Sequence, residues 1–195
     1  MFVSSDGQGQ EILRSQSSKS RMKVLEISDF NDEETWDYLR LMLSSTVVNK
    51  MEEELKNAIS TVTGGRIINL LEVVRIILKN KPLSNATTEI LNTAEEDLND
   101  AGMNDSTDYR YNKLWELSIL LLKKKSIPNS KAHDLLNNLY PKMRKSNVFS
   151  YHRDDDTITF QSTAHKTIVE KRLKQKNSNN FYNWLITNVL GYISR

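Results

Sequence analysis

Three basic side chains lie close together in the C-terminal half, in a pattern suited to contacts with phosphate groups. Lys142, Arg144 and Lys145 fall within one short stretch that is predicted to be helical. In helix-turn-helix proteins such side chains on the third helix reach the DNA major groove and its backbone. Lys131 and Arg153 are candidates for further phosphate contacts. These five residues form the candidate nucleic-acid-binding set.

Two neighbouring features oppose DNA binding. Arg153 is followed by the acidic triplet Asp154–Asp156, which repels phosphate, and Pro141 interrupts the short basic helix. The triplet favours a solvated turn, since one acidic loop without a glycine turn is a poor calcium site. The basic set is therefore open to two interpretations, a protein-interaction surface and a DNA-binding surface.

No catalytic or metal-binding pattern is present in the sequence. His133, His152 and His165 are scattered, without the spacing of a Ser/His/Asp triad or a zinc site. Cysteine is absent, which removes disulfide scaffolds, thiol nucleophiles and thiolate zinc sites. We therefore expect no metal and no catalytic residue in this chain alone.

Length and charge indicate two differently charged parts. The chain has 195 residues and a net charge of +2. Residues 112–195 hold fifteen Lys/Arg against six Asp/Glu, a balance of +9, and residues 1–111 have a balance of −7. No apolar run is long enough for a membrane span, and the N-terminus lacks a signal-peptide pattern. We expect an intracellular protein, by default cytoplasmic, with the nucleus and mitochondrion left open.

The acidic half is predicted to be mainly helical. Met1–Val3 and Lys23–Ile27 favour short strands. Asn31 with Glu34 three residues later is typical of a capping box, and Phe30 precedes it as a hydrophobic staple would. Further helices are predicted over 47–62, which ends at Gly64-Gly65, and then over 67–78 and 86–98.

The basic half predicts three helices and then a β-hairpin, which is the element order of a winged helix. Residues 102–108 are the best linker in the chain. Three helices are predicted: one over 113–125, a second that begins at Pro128, and a third over 140–146. Strands over 148–151 and 157–160 follow, and then a helix over 163–174 that packs behind the hairpin. Phe181–Ile193 is an apolar tail that needs a partner surface. The three tryptophans are predicted to be core or interface residues.

Two stretches carry a resemblance to a known family. The order FVSSDGQGQEILRSQSSKSRMKVLEISDFNDEETWDYL and then TGGRIINLLEVV resembles the distal half of an AAA-like P-loop ATPase of the archaeal or STAND type. The resemblance implies a mainly α fold with a short β remnant of the α/β ATPase core, a helical lid bundle and a winged helix-turn-helix. Its implied segments are core remnant 1–28, lid 29–101, linker 102–111, winged helix 112–175 and C-terminal apolar helix 176–195.

The same resemblance implies nucleotide-sensing residues. Ser5 and Asp6, after Ser4, would form the sensing end of a core strand. Arg21 would take the place of an arginine finger, with Arg14 less favoured, and Arg66 after Gly64-Gly65 would reach a phosphate from the lid. A solvated arginine and an ordinary helix end are the alternatives for these positions.

The motifs that bind and cleave ATP are missing. The chain has no Gly-Lys dipeptide, and hence no G-x-x-x-x-G-K-[ST], and no apolar run ending in paired acids for Mg²⁺. ATP and Mg²⁺ are therefore implied only for a full-length ATPase.

We therefore expect a non-catalytic regulatory and interaction region, a fragment or truncated paralogue. Its expected partner is another protein or a missing ATPase core, with self-association through an unpaired sheet edge as a further outcome. DNA binding is the alternative.

Overall fold

The computed structural model describes residues 29–104 and 111–177. These residues form two compact units. The helical unit comprises residues 29–96 and 162–177. The hairpin unit comprises residues 97–104 and 111–161. The predicted fold class is confirmed, because the described chain is mainly helical with one small antiparallel sheet. None of the described helices is long and apolar enough to cross a bilayer.

The helical unit is built from amphipathic helices whose apolar spacing follows the helical turn. Helix α4, for example, buries Leu70, Val73, Val74 and Ile76. The unit contains α1 (Asp32–Leu43), α2 (Ser45–Lys50), α3 (Glu52–Ala58), a π-helical turn (Ile59–Thr63), α4 (Ile67–Leu78), α5 (Leu83–Asp100), whose last residues belong to the hairpin unit, and α9 (Thr163–Asn177).

The hairpin unit surrounds a core that includes the fully buried Trp115. Its three strands are antiparallel in the order β1-β3-β2, with Phe149 opposite Phe160 and Ile127 opposite Ile158. The elements are α6 (Tyr111–Lys124), β1 (Ile127–Pro128), α7 (Asn129–Leu136), a 3-10 turn (Asn137–Leu139), α8 (Tyr140–Lys145), β2 (Phe149–His152) and β3 (Thr157–Phe160). Its designation as a winged helix stays an interpretation of this order.

Four details differ from the sequence-based expectation. The helix predicted over 47–62 is divided, because Met51 leaves helical geometry (φ −110°, ψ 17°) and a π-helical turn follows α3. Strand β1 was not foreseen. Pro141 lies in the first turn of α8 and therefore opens that helix instead of breaking it. Helix α9 groups with the helical unit, whereas the pattern placed it behind the hairpin.

Asn31 begins α1 with the predicted capping box. Its side chain accepts a hydrogen bond from the Glu34 backbone N–H (3.0 Å), and the Glu34 carboxylate accepts one from the Asn31 N–H (2.8 Å). We expect Asn31→Ala to lower the free energy of unfolding by about 1 kcal/mol, since an orphan helix donor is lost. Thermal denaturation followed by circular dichroism measures this. Asn31→Ser should stay near the native value, and an equal loss in both variants would contradict the capping role.

Candidate functional site

The nucleotide-sensing candidates divide by position in the chain. Ser5, Asp6 and Arg21 lie outside the described residues. Arg66 is half-buried at the start of α4, and it already interacts with another group of the protein. Within the described residues, therefore, only Arg66 of this set has a defined setting.

The glycine pair before Arg66 forms a tight junction. Gly64 has φ +54° and ψ −149°, a backbone conformation that residues other than glycine rarely adopt. The Gly65 carbonyl accepts a hydrogen bond from the Phe30 N–H at 2.9 Å. A Cβ on Gly65 would lie 1.8 Å from the Phe30 carbonyl oxygen. This junction explains the double glycine by backbone packing between the starts of α1 and α4.

The basic helix α8 places its lysines beside acidic groups. Lys142 and Lys145 line a groove of about 340 Å³, together with Asp97 and Asp100 from the end of α5. Asn147 donates a hydrogen bond to the Asp97 carboxylate at 3.3 Å. The groove therefore combines both signs of charge, which differs from the uniformly positive surface that binds DNA.

Arg144 points to a different neighbour from these lysines. Its guanidinium carbon lies 4.6 Å from the centre of the Tyr151 ring, a cation–π contact on the hairpin. The Tyr151 hydroxyl donates a hydrogen bond to the Asp156 carboxylate at 3.0 Å. Burial is the main cause that raises the pKa of Tyr151, and this hydrogen bond raises it further. Arg144 is thus used in packing α8 against β2.

Two residues of the acidic triplet accept hydrogen bonds at the hairpin turn. The Asp156 carbonyl accepts from the Asn129 N–H at 2.8 Å, and the Asp155 carboxylate accepts from the Thr157 hydroxyl at 2.7 Å. Arg153 is exposed at this turn and interacts within the protein, and Lys131 is half-buried on α7. Arg144 and Arg153, two of the five basic candidates, thus already interact within the protein.

The histidines contact nearby polar or aromatic groups. His165 Nδ1 lies 2.8 Å from the buried Ser162 hydroxyl, which stands just before α9. His152 Nε2 lies 2.8 Å from the Thr159 hydroxyl across the hairpin, and His133 packs on the Tyr140 ring. Burial raises the pKa of Tyr140. In the described ranges no three His, Cys, Asp or Glu side chains are grouped to hold a metal ion.

Helices α1 and α4 expose several large apolar side chains, here called the apolar face. In the described part of the chain, all exposed large apolar residues belong to these two helices, which pack against each other. Leu41 is 81% exposed and Leu78 is 62% exposed. The apolar face consists of Leu41, Met42, Ile67, Ile68, Leu71 and Leu78.

A second groove, of about 570 Å³, lies between the π-helical turn and α9. We call it the lysine groove, because Lys166, Lys171 and Lys174 line it together with Thr61, Thr163 and Thr167. Sequence reasoning missed this groove. The lysine spacing on α9 was a visible signal in the sequence. The opposite wall of the groove includes Thr61, which lies more than one hundred residues earlier in the chain.

Comparison with known proteins gives no relative: no protein-family model, curated protein or solved structure matches the chain. The resemblance to AAA/STAND ATPases therefore stays a prediction.

Proposed function

We propose that this chain is a non-catalytic regulatory and interaction region of an AAA/STAND-type ATPase. In this proposal the helical unit is the lid, the hairpin unit is the winged helix, and their partner is the nucleotide-binding core. ATP and Mg²⁺ would be held by that core, whose phosphate-binding motif is missing from this sequence. The chain would respond to nucleotide state by a change in its contacts with the core.

The apolar face is the observation that carries the proposal. Ile68 is 58% exposed and Leu71 is 46% exposed on α4, while the same helix buries Leu70 and Val74. Exposed apolar side chains that adjoin one another mark protein-interaction surfaces, because their burial on binding is favourable. The segment before α1 resembles core strands, so the proposed core would adjoin these helices in the chain.

The charges beside the apolar face favour a protein partner over a polyanion. Arg40 pairs with Asp37 at 3.2 Å on α1. On α4, Arg75 Nε donates to Glu72 at 2.7 Å, and this contact lowers the pKa of the Glu72 carboxyl. Arg40 and Arg75 are thus paired within their own helices. Such a surface suits an apolar protein partner and gives little attraction for phosphate.

The contacts of the basic residues in the hairpin unit give little support to the DNA-binding alternative. Lys142 and Lys145 share a groove with two aspartates, and Arg144 lies over Tyr151. A recognition helix requires its basic side chains on one face that fits the major groove, and α8 has only six residues. The geometry therefore favours an interaction with protein.

The first test is the sequence of the transcript upstream of the Met1 codon, which we expect to encode an in-frame G-x-x-x-x-G-K-[ST] core. That core is then titrated with the chain by isothermal calorimetry. Ile68→Asp with Leu71→Asp should weaken binding by about a hundredfold, since two buried apolar contacts at about 1.4 kcal/mol each are lost.

The matched control is Thr88→Asp with Asn92→Asp, which adds the same charge at exposed positions of α5. It should leave core binding within about twofold, and circular dichroism verifies that both variants are folded. A transcript without a phosphate-binding core, or equal binding by both variants, would overturn the proposal. DNA binding by the chain with a steep salt dependence would favour the alternative.

A further inference from the structure

We propose that the lysine groove of the helical unit binds a ligand carrying more than one phosphate group. This inference is independent of the proposed function, because it uses neither the apolar face nor an ATPase core. The groove lies wholly within the helical unit, on residues of the π-helical turn and of α9. Its volume of about 570 Å³ is in the range of small-molecule sites.

The cations of the groove are available to a ligand. Among the described residues, neither Lys171 nor Lys174 has an ion-pair partner, and both are exposed. Lys166 Nζ lies 3.8 Å from a carboxylate oxygen of Glu170, the single acidic residue among the described residues that line the groove. The lining therefore carries a net charge of +2, and lysine is a regular binder of phosphate through its point charge.

Hydroxyl groups and a helix end add weaker attraction for the same chemistry. Thr163 begins α9, a helix of fifteen residues whose N-terminal end carries partial positive charge. Thr163 also lines the groove. A hydroxyl can donate a hydrogen bond to a phosphate oxygen without adding charge. Thr163 thus offers a contact that can be tested separately from the lysines.

The two walls of the groove are held in place before any ligand binds. The Thr167 hydroxyl donates to the Thr61 carbonyl at 2.5 Å, which joins α9 to the π-helical turn. Arg172 on α9 pairs with Glu95 on α5 at 3.0 Å. Gly64 next to the turn approaches Thr163 so closely that a Cβ would lie 2.4 Å from its hydroxyl oxygen. A fixed site loses less entropy on binding.

The spacing of the groups selects a ligand with several phosphates. Thr163 and Lys174 are eleven residues apart on one helix, which corresponds to roughly 16 Å along its axis. One phosphate ion cannot contact both ends of such a groove. A polyphosphate chain or a multiply phosphorylated headgroup contacts more of the groups between these ends, and each additional phosphate then meets a further cation.

The test is calorimetric titration of the full chain with inorganic tripolyphosphate and with orthophosphate. We expect saturable binding of tripolyphosphate at least tenfold tighter than that of orthophosphate. Lys171→Ala with Lys174→Ala should weaken tripolyphosphate binding about tenfold, and Thr163→Val about threefold. Vesicles with and without phosphatidylinositol bisphosphate form the second arm, which distinguishes a lipid headgroup from a free polyphosphate as the source of the phosphates.

The matched control is Lys79→Ala with Lys81→Ala, which removes the same charge from exposed lysines elsewhere in the helical unit. It should leave the affinity within about twofold. Binding to the vesicles alone, sensitive to Lys171 and Lys174, would support the site and assign it to lipid. Equal weakening by both lysine pairs, or no saturable binding to either probe, would overturn the proposal.

Discussion

Gly65→Ala is expected to destabilise the helical unit by about 3 kcal/mol or more. The new methyl group would lie 1.8 Å from the carbonyl oxygen of Phe30 and 2.9 Å from its nitrogen. Both are backbone atoms, so no side-chain rotation relieves the overlap. Separating the two segments would also break the Phe30 N–H to Gly65 carbonyl hydrogen bond. Overpacking in a fixed interior usually costs about 1–3 kcal/mol, and a backbone obstacle places this site at or beyond the upper end.

Urea denaturation followed by circular dichroism measures the change in unfolding free energy. Gly64→Ala provides the comparison, because its obstacle is the Thr163 side chain together with its own positive φ. Adding Thr163→Ala should recover part of the stability lost by Gly64→Ala. The same addition should recover none of the loss in Gly65→Ala. Recovery in both would show that the Phe30 backbone is not the obstacle.

This junction also shows what local sequence signals can predict. The double glycine correctly indicated a helix end near residue 64, and Asn31 with Glu34 correctly indicated a helix start. Both signals are local, because the partners lie within one or two turns of the chain. The reason that Gly65 needs to be glycine is a contact with Phe30, thirty-five residues earlier. Spacing within a helix holds no information about such an approach.

The candidate sites were less predictable than the elements, for a related reason. Lys142 and Lys145 were correctly predicted to lie on a short helix. Their acidic neighbours Asp97 and Asp100 could not be predicted, because they come from another helix. Apolar periodicity predicted α4 but not which of its apolar residues stay exposed. Ile68 and Val73 have similar chemistry, yet Ile68 is 58% exposed and Val73 is 1% exposed. Only the packing of neighbouring helices decides between them.

The two tryptophans within the described residues should differ sharply in their contribution to stability. Trp115 is 0% exposed and lies on α6 in the core of the hairpin unit, and it is among the largest fully buried side chains. Trp36 on α1 is only half-buried. We expect Trp115→Ala to cost about 4 kcal/mol, because truncation removes apolar contacts and leaves a cavity in a close-packed interior. Trp36→Ala should cost less than half as much.

Thermal denaturation by circular dichroism at 222 nm suits this comparison, since tryptophan fluorescence itself changes in both variants. Trp115→Phe is the matched control and should recover more than half of the loss, because most of the apolar volume is restored. Amide spectra by nuclear magnetic resonance then localise the effect. Signals of residues 112–161 should lose dispersion in Trp115→Ala, while those of α1 and α4 persist. Such a difference between the two sets of signals would follow from each compact unit having its own core. Equal losses of unfolding free energy in Trp115→Ala and Trp36→Ala would contradict the difference in burial between the two side chains.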